Sequence, residues 1–73
     1  MFVICLDNQG NPASLIVGKV YRRLEDPEAE KLGLVRIVDE DASEPEGYLY
    51  PAAHFEEIQL SEKARQRIFA QQG

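Results

Sequence analysis

The sequence has little of the chemistry that small proteins use for covalent or metal stabilisation. It has one cysteine, one histidine and no tryptophan in 73 residues. A disulfide within the chain is therefore excluded, as is a structural zinc site, which needs about four cysteine or histidine ligands. A chain of this size buries only about 60% of its unfolded surface. We expect stability from packing or self-association, and no metal or cofactor.

Positive charge is also scarce. Eight lysines and arginines stand against 13 aspartates and glutamates, which gives a net charge of −5. A surface that binds nucleic acid normally carries a basic stripe that neutralises phosphates. The balance therefore argues against a nucleic-acid partner.

Long apolar runs are absent from the beginning of the sequence. The first residues, MFVICLDN, contain no basic region and no small-residue cleavage site, and the run at 2–6 is five residues long. That run is too short for a signal core or a membrane span. Secreted chains of this size usually carry many paired cysteines. We therefore expect a cytoplasmic protein that does not enter a membrane.

Five short segments have the composition of β-strands, with turn residues between them. The loop after the first strand is long and reads DNQGNPAS, and an apolar LIV at 15–17 is expected to fold it back onto the core. A polar loop is expected at 27–31. The five segments are residues 2–6, 19–26, 34–38, 47–50 and 56–59.

The residue pattern of the second strand does not settle which face points inward. Strict alternation places Val20, Arg22 and Leu24 on one face, with Tyr21 and Arg23 on the other. The position of Arg22 is awkward if the first of these faces is the core face. A bulge near the arginine pair would instead bring Tyr21 and Leu24 to the same side.

The last third of the sequence predicts two helical elements. Pro51 followed by AAHF suits one helical turn before the last strand. Ser61 has the character of an N-cap for a helix that ends near residue 71, with Ala64 and Ile68 on one stripe. Packing on its own barrel is the simpler arrangement, and helix exchange in a dimer is second. We expect a monomer or a weak homodimer.

This order of elements predicts a mostly-β fold. We expect a five-stranded SH3-like barrel over residues 1–60, because closure removes exposed strand edges. A single 3-10 turn should precede the last strand, and a short C-terminal helix or tail at 61–73 should pack on the same domain.

Four sequence pieces carry a resemblance to a known family. They are ICLDN at 4–8, LIVGKVYRRLED at 15–26, VRIVDED at 35–41 and GYLYPAAHFEEI at 47–58. In order and spacing they resemble a family of small bacterial and phage SH3-like barrel proteins that has no agreed biochemical role. The resemblance implies the barrel fold and no particular activity. The last piece is also similar to the end of eukaryotic SH3 domains, which bind proline-rich peptides, but here the aromatic groove lacks tryptophan.

Residues that suggest catalysis or metal binding have simpler interpretations. Cys5 and His54 could act as nucleophile and base, with Asp7 or Glu56 as the supporting acid. A thiol inside an apolar strand is usually inert, however. The acidic loop at 39–46 could attract a hard cation, but it lacks the glycine of an EF-hand and is expected to be a solvated loop. We expect no catalytic residues and no enzyme.

The aromatic residues are the strongest candidates for a partner-binding surface. Side chains of this kind anchor interfaces at low entropic cost, although any one of them could instead fill the core. The candidate partner-binding residues are Tyr21, Tyr48, Tyr50 and Phe55.

Binding, not catalysis, is therefore the favoured function. The first hypothesis is a non-catalytic protein- or peptide-binding or accessory module. The alternative is a small barrel that binds nucleic acid through Arg22, Arg23 and Arg36. Cross-strand pairing of those arginines with Glu25 or with the acidic loop is the simpler expectation.

Overall fold

The computed structural model describes residues 1–41 and 43–72, with side chains described up to residue 68. Ala42, in the predicted acidic loop, and Gly73, in the predicted tail, lie outside the described residues. The elements are β1 (Phe2–Cys5), β2 (Val20–Leu24), α1 (Pro27–Lys31), β3 (Leu34–Val38), β4 (Tyr48–Pro51), a 3-10 turn (Ala52–His54), β5 (Phe55–Ile58) and α2 (Glu62–Gln72).

The strands form one antiparallel sheet in the order β4-β3-β2-β1-β5. Consecutive strands are neighbours until β5, which returns to pair with β1. This confirms the predicted mostly-β fold with five strands, a 3-10 turn before the last strand and a C-terminal helix. Within the described ranges no ladder joins β4 to β5, so the sheet is not closed and both of these strands are edges.

One face of the sheet carries the core. Its buried members come from four strands and from the long loop between β1 and β2, which contributes Leu15. Ala52 and Phe55 pack against this cluster while remaining partly exposed. The buried residues are Val3, Cys5, Leu15, Tyr21, Val35, Ile37 and Tyr50.

Helix α2 contacts β2. The Ser61 hydroxyl accepts a hydrogen bond from the Ala64 backbone N–H at 3.1 Å. That bond satisfies one of the donors left unpaired in the first turn of a helix, so Ser61 acts as the predicted N-cap.

A short helix replaces the polar loop predicted at 27–31, so that prediction is wrong. The Asp26 carboxylate caps α1 by accepting from the Ala29 N–H at 3.1 Å, and Pro27 stands in the first turn. Proline is tolerated there because its missing N–H has no partner in a helix. The sequence Asp-Pro-Glu is a helix-start signal, but the helix that follows it is only five residues long.

Strand β2 is regular, without the bulge considered near Arg22 and Arg23. Its register with β3 is continuous, and Arg23 lies opposite Ile37. Tyr21 and Arg23 therefore share the core face, where Tyr21 is buried and Arg23 reaches the margin of the sheet. Charge at this position is accommodated by ion pairs with Glu30 and Glu57.

Leu15 fixes the long loop to the core. Its side chain is 0% exposed, while the neighbouring Ile16 is 51% exposed. The Asn8 side-chain amide donates to the Leu15 carbonyl at 3.0 Å, and the Gly18 N–H donates to the Cys5 carbonyl at 2.7 Å. The loop is thus held at both ends and by one buried side chain.

Leu15→Ala should lower the free energy of unfolding by about 3 kcal/mol, because it removes a fully buried side chain and leaves a cavity. Ile16→Ala is the matched control and should change stability by less than about 0.5 kcal/mol. Urea denaturation followed by circular dichroism measures both. Equal losses in the two variants would contradict the assigned role of Leu15.

Candidate binding surface

Each tyrosine hydroxyl donates to one carboxylate of the acidic run, which we define as residues 39–41. The run follows directly after β3, and the three donors come from β2 and β4. Tyr50 donates to Asp39, Tyr21 to Glu40 and Tyr48 to Asp41. The end of β3 is thereby tied to two strands, and the long loop joins it through Glu40 N–H and the Ser14 carbonyl at 3.0 Å.

The innermost pair joins Tyr50 to Asp39. Asp39 is 7% exposed, and its carboxylate also accepts from the Asp41 N–H at 2.8 Å. Burial, followed by the hydrogen bond to Asp39, raises the pKa of Tyr50 to about 12. A buried carboxylate needs donors in place of water, and these two uncharged groups supply them.

The middle pair includes a cation. Glu40 accepts from Tyr21 at 2.5 Å and from Lys19 Nζ at 2.6 Å. The Lys19 bond, and then the Tyr21 bond, lower the pKa of Glu40. Burial, followed by the Glu40 bond, raises the pKa of Tyr21. The Tyr21 hydroxyl also accepts from the Ile16 N–H at 2.8 Å. The ring of Tyr21 therefore packs in the core while its hydroxyl holds the long loop.

The outermost pair lies at the surface. Tyr48 is 43% exposed and donates to Asp41 at 3.0 Å. Asp41 accepts the Ser43 hydroxyl at 2.5 Å and the Ser43 N–H at 3.2 Å. These hydrogen bonds, from Ser43 first and Tyr48 second, lower the pKa of Asp41. The acidic loop therefore caps its own turns, as polar loops often do.

Gly47 brings the end of this loop close to β3. Its φ is +68°, and a Cβ there would contact the Ile37 carbonyl oxygen. Only glycine combines that backbone conformation with that approach. The tight return places Tyr48 opposite Ile37 and Tyr50 opposite Val35.

A cavity opens beside the acidic run, and we call it the edge cavity. It has a volume of about 360 Å³. Leu49, 43% exposed like Tyr48, forms part of its rim. Asp39 and Asp41 face it, and in the part of the chain that the structure describes neither has a lysine or arginine partner. The lining residues are Asn11, Ser14, Asp39, Asp41, Tyr48, Leu49 and Tyr50.

The four aromatic residues predicted for partner binding occupy different environments. Tyr21 and Tyr50 are 1% and 5% exposed and belong to the core. Phe55 packs edge-on against Tyr50, with ring centroids 6.1 Å apart. Of these four, Tyr48 is the most exposed, at 43%, while Phe55 remains partly exposed.

Sequence reasoning missed Leu49 as a surface residue and missed Asp39 and Asp41 as cavity walls. Alternation assigns Leu49 to the opposite face from Tyr48. Both become accessible because β4 is an edge strand, and strand order is not written in one strand's pattern.

Cys5 and His54 do not form a hydrogen-bonded catalytic pair. The Cys5 thiol is buried and donates to the Asp7 carbonyl at 3.4 Å. Burial is the main cause that raises its pKa, which disfavours the reactive thiolate. Within the described residues His54 Nδ1 is buried and has no hydrogen-bond partner.

The predicted basic residues are engaged with acids at two positions. Arg36 Nε donates to Asp26 at 2.9 Å, and Arg36 Nη1 donates to the Glu46 carbonyl at 3.3 Å. Arg23 pairs with Glu30. Pairing with acids is therefore seen, but the carboxylate partners are Asp26 and Glu30, not the expected Glu25, and the acidic loop contributes the Glu46 main-chain carbonyl. No group of three or more potential ligands positioned for a metal ion occurs among residues 1–41 and 43–72.

Comparison of the chain with protein-family models, curated proteins and solved structures finds no match. Among the described elements, no helix has both the length and the apolar character needed to cross a bilayer.

Tyr50→Phe should lower the free energy of unfolding by about 1–2 kcal/mol, because the buried Asp39 carboxylate loses one of its two donors. Tyr48→Phe, the matched control on the same strand, should have little effect since water replaces its hydroxyl at Asp41. Urea denaturation of the two variants measures the difference. A Tyr48→Phe loss as large as that of Tyr50→Phe would refute the special role of the inner pair.

The fold should lose stability at alkaline pH. An unfolded tyrosine ionises near pH 10, whereas Tyr50 ionises at about 12 when folded. Because the folded pKa is the higher one, its contribution is complete below pH 10 and is lost as pH rises towards 12. Circular dichroism and tyrosinate absorbance should change together above pH 10. Ionisation of all three tyrosines near pH 10 with an unchanged far-ultraviolet spectrum would be inconsistent with this account.

Proposed function

We propose that this protein is a non-catalytic binding module that takes up a segment of a partner protein along β4. The module is a small SH3-like barrel, related in plan to the bacterial and phage family that its four sequence pieces resemble. The return of β5 to β1 after a 3-10 turn supports that plan. A reduced cytoplasm suits its single buried thiol.

The observation that carries the proposal is the pairing of exposed apolar side chains with a concave surface. Tyr48 and Leu49 are each 43% exposed on neighbouring positions of an edge strand. Both line the edge cavity. Amphipathic aromatic residues next to a pocket are typical anchors of protein interfaces.

Charge selects the partner. Asp39 and Asp41 line the cavity, and within the described part of the chain neither is neutralised by a basic side chain. A lysine or arginine of the partner would supply that charge, with its methylene stem against the Tyr48 ring. The same carboxylates repel phosphate, which disfavours the nucleic-acid alternative.

The main chain of β4 limits the mode of binding. Ala52 N–H donates to the Gly33 carbonyl at 2.9 Å, so by antiparallel alternation Leu49 turns its N–H and C=O outward. Pro51 is the next outward residue and has no N–H. The Pro51 carbonyl, at the N-cap of the 3-10 turn, already accepts the first bond of that turn, so the edge offers one free donor and one free acceptor, both from Leu49. Side-chain contacts, not a long shared ladder, would provide most of the specificity.

A lysine-rich blocked peptide of sequence TVKVKVT tests the proposal by amide chemical-shift titration of the labelled protein. Saturable shifts are expected around Tyr48 and Leu49. Tyr48→Ala and Leu49→Ala should each weaken binding about tenfold, a loss typical of interface anchors. Ile16→Ala removes an equally exposed aliphatic side chain elsewhere and should leave the affinity unchanged.

The charge requirement has its own control. The peptide TVEVEVT keeps the length and β propensity but reverses the charge, and it should not bind. Equal binding of both peptides, or an affinity unaffected by Tyr48→Ala, would rule out this surface.

A further inference from the structure

The opposite edge of the sheet contains a second cavity, which we call the seam cavity. It lies between β5, the start of β3 and α1, with a volume of about 200 Å³. Five of its eight lining residues are apolar, and an arginine and two glutamates form a polar remainder. An apolar cavity of about 150 Å³ is large enough to hold benzene, so this one can accept a single apolar side chain. The apolar lining residues are Val3, Leu34, Val35, Ala52 and Phe55.

Arg23 lies at this cavity with unused hydrogen-bonding capacity. Its side chain is 17% exposed. Nη2 contacts Glu30 at 3.1 Å, and Nη1 lies 3.9 Å from Glu57, beyond hydrogen-bond distance. Nε is buried and has no acceptor among the described residues. A guanidinium offers five N–H donors, and a buried donor without an acceptor is unfavourable.

The main chain beside the cavity is also unpaired. Leu6 N–H donates to the His54 carbonyl at 2.8 Å, and β1 and β5 continue from there in regular register. By alternation, Glu57 turns its N–H and C=O away from β1, towards the open edge. Phe55 N–H, the other outward donor, is bonded to the Ala52 carbonyl. Glu57 therefore offers one donor and one acceptor next to the cavity.

One kind of ligand would fit the cavity, the Arg23 guanidinium and the Glu57 main chain together. We propose that the seam binds an extended, uncharged segment of a partner polypeptide, which pairs with Glu57 and inserts one apolar side chain into the cavity. A main-chain carbonyl of the segment accepts from Arg23 Nη1, which lies beyond hydrogen-bond distance of Glu57. An anionic segment is excluded because Glu30 and Glu57 outnumber Arg23 at the rim, and a polypeptide is favoured over a free apolar molecule because Glu57 presents main-chain groups. This site lies on a different edge from the one proposed above and does not depend on it.

Two blocked peptides, acetyl-GTLTG-amide and acetyl-GTGTG-amide, test the cavity by amide chemical-shift titration. The leucine peptide should shift the Phe55 and Glu57 resonances in a saturable manner. The glycine peptide should bind about tenfold more weakly, because it buries no side chain. The control variant Ile16→Ala should bind the leucine peptide as the unaltered protein does.

Two substitutions at one position test the main-chain contact. Glu57→Pro removes the outward N–H, and proline is tolerated on an edge strand when its nitrogen faces away from the ladder. Glu57→Ala removes only the carboxylate. Binding of the leucine peptide should fall at least tenfold further in Glu57→Pro than in Glu57→Ala. Arg23→Lys keeps the charge but loses the guanidinium Nη1 donors, and should also weaken binding.

Three results would overturn the proposal. The first is the absence of shifts at Phe55 and Glu57, which would mean that solvent alone occupies the cavity. The second is equal binding by the two Glu57 variants. The third is saturable binding of free toluene without binding of the leucine peptide, which would identify a small-molecule cavity. Dispersed amide spectra of each variant establish that it is folded.

Discussion

The hydrogen bond between the Tyr50 hydroxyl and the buried Asp39 carboxylate constrains the rest of the structure. It joins β4 to the point where β3 ends, where both groups are almost fully covered by the protein. The donors to Asp39 that the structure describes are uncharged, so the charge of Asp39 remains available to the edge cavity. The same bond orients the Tyr50 ring against Phe55. Tyr50 lines the edge cavity and Phe55 lines the seam cavity, so this packed pair of rings connects the walls of the two cavities.

The two outer pairs extend this arrangement from core to surface. Glu40 is neutralised by Lys19 and binds Tyr21, whereas the donors to Asp41 that the structure describes are hydroxyl and amide groups. Three adjacent carboxylates thus have three different environments, set by how far each lies from the core. A charged run that serves only solubility would have no need of such donors. Here hydroxyl groups take the place of a disulfide or metal in fixing the loop.

The sequence was sufficient to predict the strands because β-branched and aromatic residues are concentrated in short segments separated by turn residues. It also predicted the 3-10 turn, since proline suits the position at or just before the start of a helical turn, and the helix after Ser61. The sequence was insufficient to predict α1, because the helix-start signal at Asp26 and Pro27 is as short as the helix that follows it. The sequence also did not predict that Tyr48 is exposed while Tyr50 is buried. Period-two alternation assigns both to one face, but only the packing of neighbouring strands decides which ring is covered.

Arg23 shows how an open sheet changes the meaning of a pattern. Alternation suggested a core face of Val20, Arg22 and Leu24, on which Arg22 was awkward, and this suggested a bulge. The strand is regular instead and turns its other face, with Tyr21 and Arg23, to the core. Arg23 reaches a margin where β5 has no further strand beside it in the described chain. A closed ladder at this seam would have covered the main chain of Glu57 and left no room for a guanidinium. The position of that one charge on the inner face therefore requires the sheet to remain open here, and it is this opening that creates a polar-rimmed cavity suited to another chain.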